Sequence, residues 1–216
     1  MKFAVIGYGS FGSNMAKTLF AKGHEVLVID KDRERIAAAK DFATNAVMAD
    51  SAVKENLEAL GVRDMDVVVV SMGHEMEASV LTTLYLRELG AKRILTKALS
   101  DDHAKVLEAV GATEVVYPEK DMAVRTALRL SSPNILEYLP ISNGITIQEV
   151  APPARFIGRT LKDLDLTNRY GVQVIAIKEI IPDNVVVIPR ADFVIKDSDI
   201  LVVIGEESEL GKILEA

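Results

Sequence analysis

The sequence has no cysteine and no tryptophan, and only three of its 216 residues are histidine. Without cysteine, the chain can form neither a disulfide framework nor a thiolate nucleophile. The histidines, His24, His74 and His103, lie far apart and show no spacing typical of metal ligands. We therefore expect no histidine-based metal site and no cysteine chemistry.

Two further features are missing: a block of basic residues and a long apolar run. The formal net charge is −7, which argues against nucleic acid as the main partner. No apolar stretch approaches the roughly 20 residues that a membrane helix needs. The first apolar strand begins at residue 2, which leaves no room for a signal peptide. We expect a soluble, cytoplasmic protein.

Apolar residues make up 49% of the chain, and most of them are Val, Ile, Leu and Ala. Aromatic residues contribute only 5%. This composition is typical of buried parallel strands and the helices that cover them. The length suits one large domain, or one medium domain with a smaller second one.

The first thirty residues match a dinucleotide-binding βαβ unit. An apolar strand over 2–6 enters a G-x-G-x-x-G turn, a helix follows, and a second strand ends in Asp30. In this fingerprint the first glycine permits the turn, the second lets a phosphate approach, and the third lets the helix pack on the strand. The helix N-terminus attracts the phosphate, and Asp30 would accept hydrogen bonds from ribose hydroxyls. The loop is Gly7-Tyr8-Gly9-Ser10-Phe11-Gly12.

Strands and helices then alternate until a sixth strand ends near Tyr117, which predicts a doubly wound parallel sheet. Ligands of such sheets lie beyond the carboxyl ends of the strands. Asp50 and Ser51 would meet an adenine edge, and Lys97 would neutralise phosphate. The alternatives are that Asp50 or Ser51 only caps the next helix, and that Lys97 and His74 are solvated surface residues. The predicted contacts at these strand ends are Lys31, Asp50, Ser51, Met72, Gly73, His74, Lys97 and Glu119.

After the sixth strand, a helical segment that opens at Pro118 reaches about Leu130, and a polar break follows it. We interpret this segment as an arm whose apolar face needs a cover, such as a second subunit. Residues 133–140 are predicted to be a linker, of which 135–139 is a short helical or extended piece that Pro140 ends. The predicted domains are thus 1–132, including the arm, and 141–216, a small α+β domain with mostly antiparallel strands.

An oxidoreductase on this scaffold needs a proton donor beside the nicotinamide, usually His, Lys or Tyr. The C-terminal domain has no His, and its Tyr170 and Lys178 are isolated. We therefore expect no enzyme activity. Binding without chemistry indicates a sensor, whose ligand shifts a conformational equilibrium.

The order of these parts resembles a known family. It runs from the glycine loop to Asp30, then Ala49-Asp50-Ser51, then Pro118-Glu119-Lys120-Asp121-Met122, then the small C-terminal domain. This order is similar to the cytosolic regulatory subunits of bacterial Trk/Ktr potassium-uptake systems, which are built from RCK (regulator of potassium conductance) domains. The resemblance covers essentially the whole chain.

The resemblance implies a Rossmann-like N-terminal domain that binds ATP, ADP or NAD(H), followed along the chain by a TrkA-C domain. It also implies a gating ring built from dimers, often a tetramer of dimers, on the inner face of the plasma membrane. The ring would dock on a membrane potassium-translocating subunit. Glu119 would sit near the phosphates or a bound cation at the dimer interface. In some members a cyclic dinucleotide binds between two TrkA-C copies, for which Asn168-Arg169-Tyr170 and Ile188-Pro189 are the candidates here.

One position departs from the pattern. Several ATP-gated relatives carry Arg where this chain has Ser10. The guanidinium of an arginine can form two charged hydrogen bonds with a terminal phosphate, which a serine hydroxyl cannot do. ATP-specific gating is therefore less favoured, and AMP, ADP and NAD(H) remain open. Two other functions also remain open: a small NAD-dependent oxidoreductase, and a nucleotide-sensing subunit of a different transporter.

Overall fold

The computed structural model describes residues 1–72, 75–131, 135–142 and 144–215. Contacts along the chain divide it into two compact units, Met1–Glu119 and Lys120–Ala216. The division falls just inside the helix that follows the sixth strand, whereas the predicted first domain extends to residue 132.

The N-terminal unit alternates strands and helices, as the sequence predicts. Its elements are β1 (Lys2–Ile6), α1 (Ser10–Ala21), β2 (Glu25–Asp30), α2 (Arg33–Ala39), β3 (Asn45–Met48), α3 (Lys54–Ala59), β4 (Val67–Val70), α4 (Met76–Glu88), β5 (Ile94–Lys97), α5 (Asp101–Val110) and β6 (Glu114–Val116), followed by α6 (Pro118–Ser131).

The six strands form one sheet in the order β3-β2-β1-β4-β5-β6, and every pair is parallel. This confirms the doubly wound, Rossmann-like fold. The strand order reverses between β1 and β4, which is where such sheets bind their ligands. Residues of β1 and β4 are buried on both faces of the sheet, because alternate side chains enter the two apolar clusters on its two sides.

The predicted capping role of Asp50 or Ser51 is wrong. Helix α3 begins after Val53, and no side chain caps it. The Asp50 carboxylate instead accepts a hydrogen bond from the Ala52 N–H (2.9 Å), which forms a turn before the helix. Ser51 is buried, and its hydroxyl accepts a hydrogen bond from the Thr82 hydroxyl in α4 (2.9 Å).

The second unit contains most of α6 and a five-stranded antiparallel sheet in the order β10-β9-β11-β8-β7, which confirms the predicted α+β domain. Short helices pack on one face of this sheet around a separate apolar core. Its further elements are β7 (Ile135–Ser142), β8 (Ile145–Val150), α7 (Leu161–Leu164), α8 (Leu166–Tyr170), β9 (Gln173–Glu179), β10 (Asn184–Val187), β11 (Asp199–Glu206) and α9 (Glu207–Glu215).

The predicted linker differs from the structure. Residues 133 and 134 lie outside the described residues, and residues 135–140 belong to β7, which pairs with β8. Pro140 does not end this segment, because β7 lies at the edge of the sheet, where a proline removes no essential ladder hydrogen bond. Tyr138 anchors the strand, since its side chain is buried.

Among the residues that the structure describes, we find no helix with both the length and the apolar character needed to cross a membrane.

Candidate functional site

A solvent-open pocket of about 400 Å³ lies at the carboxyl ends of β1, β2, β3 and β4 in the N-terminal unit. Its position is the switch point of the strand order, where doubly wound sheets bind their ligands. The lining residues are Ile6, Gly7, Ile29, Asp30, Lys31, Arg35, Ala49, Asp50, Ser51, Ser71, Met72 and Glu75.

Two glycines of the loop are required by the fold itself. Gly7 has φ +90°, and a Cβ there would lie 2.3 Å from the Ser71 carbonyl oxygen. A Cβ on Gly12 would lie 1.9 Å from the Gly7 carbonyl oxygen. Gly9 is different, because its φ is −76° and a Cβ there would meet nothing within 4 Å. The protein's own packing does not require a glycine at this position, whereas an approaching ligand would.

Helix α1 begins directly after Gly9. No side chain caps its N-terminus, and no acidic residue lies in its first turn. The N–H groups of a helix's first turn have no partner within the helix, and they carry partial positive charge. The start of α1 is therefore suited to a phosphate.

Tyr8, Ser10 and Phe11 of the loop are not among the residues that line the pocket. Tyr8 is buried with its ring in the core beside α1, and burial raises the pKa of its phenol. Phe11 packs against the same core. Ser10 is exposed, and its carbonyl accepts a hydrogen bond from the Asn14 amide (2.9 Å). Tyr8, Ser10 and Phe11 thus shape the loop around Gly9.

Asp30 joins the end of β2 to the glycine loop. Only 6% of it is exposed. Its Oδ2 accepts a hydrogen bond from the Tyr8 N–H (2.6 Å), and its Oδ1 accepts one from the Asp32 N–H (2.9 Å). The Arg35 guanidinium lies 3.4 Å from Oδ2. Each carboxylate oxygen can accept more than one hydrogen bond, so Asp30 can hold the loop and also bind hydroxyl groups in the pocket.

Charged side chains surround Asp30 at the outer side of the pocket. The Lys31 ammonium pairs with Glu75, 2.7 Å away. A hydrogen bond from Lys31 to Glu75 raises the lysine pKa, and the charges of Glu75, Asp50 and Asp30 raise it further. Lys31 therefore keeps its positive charge at neutral pH.

Asp50, Ser51 and Met72 also line the pocket. The hydroxyls of Ser51 and Thr82 both lie 3.6 Å from the Met72 sulfur. These contacts hold Met72, the second residue after β4, against Ser51, the third residue after β3. The segments that follow β3 and β4 are therefore fixed relative to each other where they line the pocket.

Lys97 and Glu119 lie elsewhere. They form an ion pair with each other, and neither is among the residues that line the pocket. Their proposed contacts with phosphate or a cation stay predictions. Gly73 and His74 fall outside the described residues. Nowhere in the described part of the chain do three or more His, Asp or Glu side chains form a group that could hold a metal.

Sequence reasoning missed several pocket residues, of which Arg35 and Glu75 are charged. Arg35 lies in the first turn of α2, and Glu75 directly precedes α4. The strand-end rule draws attention to residues that follow a strand at once, and these two come later in the connections. The missed residues are Ile6, Ile29, Arg35, Ala49, Ser71 and Glu75.

A second pocket, of about 540 Å³, lies in the C-terminal unit. Pro189 is part of its lining, but Asn168, Arg169, Tyr170 and Ile188 are not. The Asn168 amide donates a hydrogen bond to the Asp165 carboxylate (2.6 Å), and Tyr170 packs against the core of this unit. The structure thus brings one of the five candidates for a cyclic dinucleotide site into a pocket.

Comparison with known proteins places the chain in a family. The TrkA-N domain model matches residues 3–118, and the TrkA-C domain model matches residues 145–216. Ktr system potassium uptake protein C of Bacillus subtilis is 41% identical over 211 residues, which is 98% of this chain and 95% of that protein. The chain belongs to the Ktr/TrkA family of potassium uptake proteins.

Two other Ktr relatives also match this chain over nearly its full length and theirs. Ktr system potassium uptake protein A of Bacillus subtilis is 37% identical over 97% of this chain and 93% of its own length. The protein of the same name from Vibrio alginolyticus is 32% identical over 100% of this chain and 97% of its own length. The suspected family is thereby confirmed.

A solved structure supports the fold. The GsuK channel bound to NAD superposes with a TM-score of 0.69 at 17% identity, over 98% of this Ktr-family chain and 38% of that chain. This chain thus spans well under half of the channel protein. At this identity the likeness shows a shared fold, and the ligand named belongs to that channel.

Proposed function

We propose that this chain is a nucleotide-sensing regulatory subunit of a bacterial potassium-uptake system. The observation that carries the proposal is the pocket at the switch point of the sheet. Gly7 and the Asp30 carboxylate line this pocket, and Gly9 with its open side and the uncapped start of α1 follow Gly7 in the same βαβ unit. Membership in the Ktr/TrkA family identifies potassium uptake as the process that such a sensor would regulate.

The ligand we propose is an adenine nucleotide. The start of α1 is suited to a phosphate, and Asp30 to ribose hydroxyls. The buried carboxylate would repel a 2′-phosphate, which favours NAD(H) over its phosphorylated form. Structures related in fold include GsuK bound to NAD and GsuK bound to ADP. ADP, AMP and NAD(H) suit the pocket better than ATP, because Ser10 offers no charge to a terminal phosphate.

We propose binding without catalysis. The titratable side chains among the described lining residues are Asp30, Lys31, Arg35, Asp50 and Glu75. Lys31 is held charged by its carboxylate neighbours, and Arg35 does not lose its proton in proteins. The described lining includes no His or Tyr, and the Lys31 ammonium is engaged by Glu75, so the pocket offers little support for the proton transfer that hydride transfer to a carbonyl requires. The ligand would act by its differential affinity for two conformations of the subunit.

Self-association and docking on a membrane subunit complete the proposal. Helix α6 has no buried residue within this chain, and Met122, Val124 and Leu130 are exposed on it. A second copy would cover these side chains in a dimer, and dimers would assemble into a ring at the inner face of the plasma membrane. Glu119 as a cation contact and a cyclic dinucleotide site in the TrkA-C domain belong to this proposal as well.

Mass spectrometry of the nucleotide that copurifies with the protein tests the proposal first. A thermal-shift series with ATP, ADP, AMP and NADH then ranks the ligands, since a ligand that binds only the folded state raises its stability. We expect an adenine nucleotide in the purified protein and a concentration-dependent rise in melting temperature. A protein that carries no nucleotide and melts identically with all four ligands would refute the proposal, and so would turnover of NADH.

A further inference from the structure

Lys31 and Glu75 form an ion pair between opposite walls of the pocket. The distance from Lys31 Nζ to Glu75 Oε2 is 2.7 Å, and both residues line the pocket. Lys31 directly follows β2, and Glu75 directly precedes α4. Strands β2 and β4 lie on either side of β1 in the sheet. The ion pair therefore joins two segments that the carboxyl end of β1 separates, and the glycine loop begins at that end.

The floor below this ion pair is rigid. The Gly7 N–H donates a hydrogen bond to the Ile29 carbonyl (2.8 Å), and the Ser71 N–H donates one to the Ile6 carbonyl (2.7 Å). Gly7 also lies so close to Ser71 that a Cβ cannot fit between them. The ends of β2, β1 and β4 are thus held together by backbone contacts, whereas Lys31 and Glu75 are joined through exposed side chains.

The ion pair lies at the mouth of the pocket, on its outer side. The side chains of Lys31 and Glu75 are 57% and 49% exposed, whereas the side chain of Asp30 is 4% exposed. A nucleotide whose ribose reaches Asp30 would lie deeper than the ion pair. It would have to pass between Lys31 and Glu75, or beneath them, on entry and on release.

We propose that the Lys31–Glu75 ion pair is a strap across the mouth of the pocket, which opens to admit the nucleotide and closes behind it. The strap slows nucleotide release and so sets how long the sensor stays in its bound state. This inference rests on the proposed function, because it needs a nucleotide in the pocket. An exposed ion pair is a weak contact, so its loss should change a release rate by no more than about fivefold. Such a strap delays the ligand without trapping it.

The test compares dissociation rates of a fluorescent ADP analogue, chased with excess ADP in a stopped-flow instrument. The variants are Lys31→Met, Glu75→Gln and the double variant. Glu88→Gln is the matched control, because Glu88 pairs with Lys54 at 2.6 Å with similar exposure (44% and 38%), and neither residue lines the pocket.

We expect each single variant to release the analogue about two- to fivefold faster than the wild type. The double variant should be no faster than either single variant, because the same contact is lost in all three. The control should match the wild type. Raised salt should accelerate release more from the wild type than from Glu75→Gln, since screening of the charged nucleotide is common to both and only the wild type has the Lys31–Glu75 pair to lose.

Two results would overturn the strap. Faster release from Lys31→Met combined with a wild-type rate for Glu75→Gln would mean that Lys31 contacts the ligand without Glu75. Additive effects in the double variant would mean that the two side chains act separately. If the wild-type protein binds no nucleotide at all, the proposed function fails and the strap falls with it, which is a separate and recognisable outcome.

Discussion

Asp30→Ala removes the acceptor that ties the glycine loop to the end of β2. In the folded protein Asp30 is 6% exposed, and its Oδ2 accepts a 2.6 Å hydrogen bond from the Tyr8 N–H. Without the carboxylate, this N–H loses its acceptor in a buried position. A buried donor left without a partner costs about 1–3 kcal/mol, so we expect the free energy of unfolding to fall by that amount.

The same change should weaken nucleotide binding. Hydrogen bonds from ribose hydroxyls to a charged acceptor contribute about 1.5–3 kcal/mol, which corresponds to a rise in Kd of roughly 10- to 150-fold. Isothermal titration calorimetry with ADP and with NADH measures this loss, and urea denaturation measures the stability. Asp30→Asn helps to separate the two effects, because its amide oxygen can still accept from the Tyr8 N–H while the charge is removed, and the Asp32 N–H is the only one of the two N–H groups that loses its acceptor.

Asp66→Ala is the control for destabilisation alone. The Asp66 carboxylate accepts a hydrogen bond from the Lys2 N–H (2.8 Å), which is the same kind of contact at the opposite end of β1. We expect Asp66→Ala to lower the free energy of unfolding but to leave nucleotide affinity unchanged. If Asp30→Ala binds ADP and NADH as tightly as the wild type while folded, the assignment of Asp30 to ribose is refuted.

Three further predictions follow from other parts of the structure. Gly9→Ala should keep its stability within about 1 kcal/mol of wild type, because the new Cβ enters open space, yet raise the nucleotide Kd about tenfold in calorimetry. Unchanged affinity would remove Gly9 from the phosphate site. Burial lowers the pKa of His103, so the neutral form is favoured in the folded state. Its contribution to stability should be complete above the unfolded-state pKa of about 6.5 and be lost as pH falls through the lower folded-state pKa. Urea denaturation at pH 8 and pH 5 should show a smaller loss in His103→Gln, and an equal loss would contradict the reasoning. Light scattering should find dimers or larger assemblies at micromolar protein, because Met122, Val124 and Leu130 are exposed on α6, and a clean monomer would contradict this interface.

The sequence predicts the N-terminal sheet well, because the signals are local. Apolar runs such as the four valines of β4 define strands, and the glycine loop defines the first turn. The rule that ligands lie beyond the carboxyl ends of the strands also selects several residues that share one pocket, although Lys97 and Glu119 are not among its lining residues. Asp30, Lys31, Asp50, Ser51 and Met72 all line the pocket.

What the sequence does not predict depends on contacts between distant segments. Lys97 and Glu119 look like separate ligand contacts in the sequence, but the fold places them together as an ion pair. Ser51 looks like a helix cap, but it is buried against Thr82 of α4. Pro140 looks like the end of a segment, because only the sheet order shows that β7 is an edge strand.

The same limit explains why the sequence does not predict Glu75 and Arg35 as pocket residues. Glu75 carries no motif of its own, and it reaches the pocket because α4 starts beside the end of β2. Arg35 likewise reaches Asp30 only through the path of α2. Local sequence patterns thus identify the glycine loop and Asp30 but not Arg35 and Glu75 at the outer side of the pocket.

Potassium uptake in cells tests the central claim most directly. A bacterial strain without its own potassium-uptake systems would express the cognate membrane subunit alone, with this chain, or with its Asp30→Ala variant. We predict that the chain changes the uptake rate and that Asp30→Ala abolishes this change at equal expression. Uptake that is the same in all three cells would contradict a nucleotide-sensing regulator.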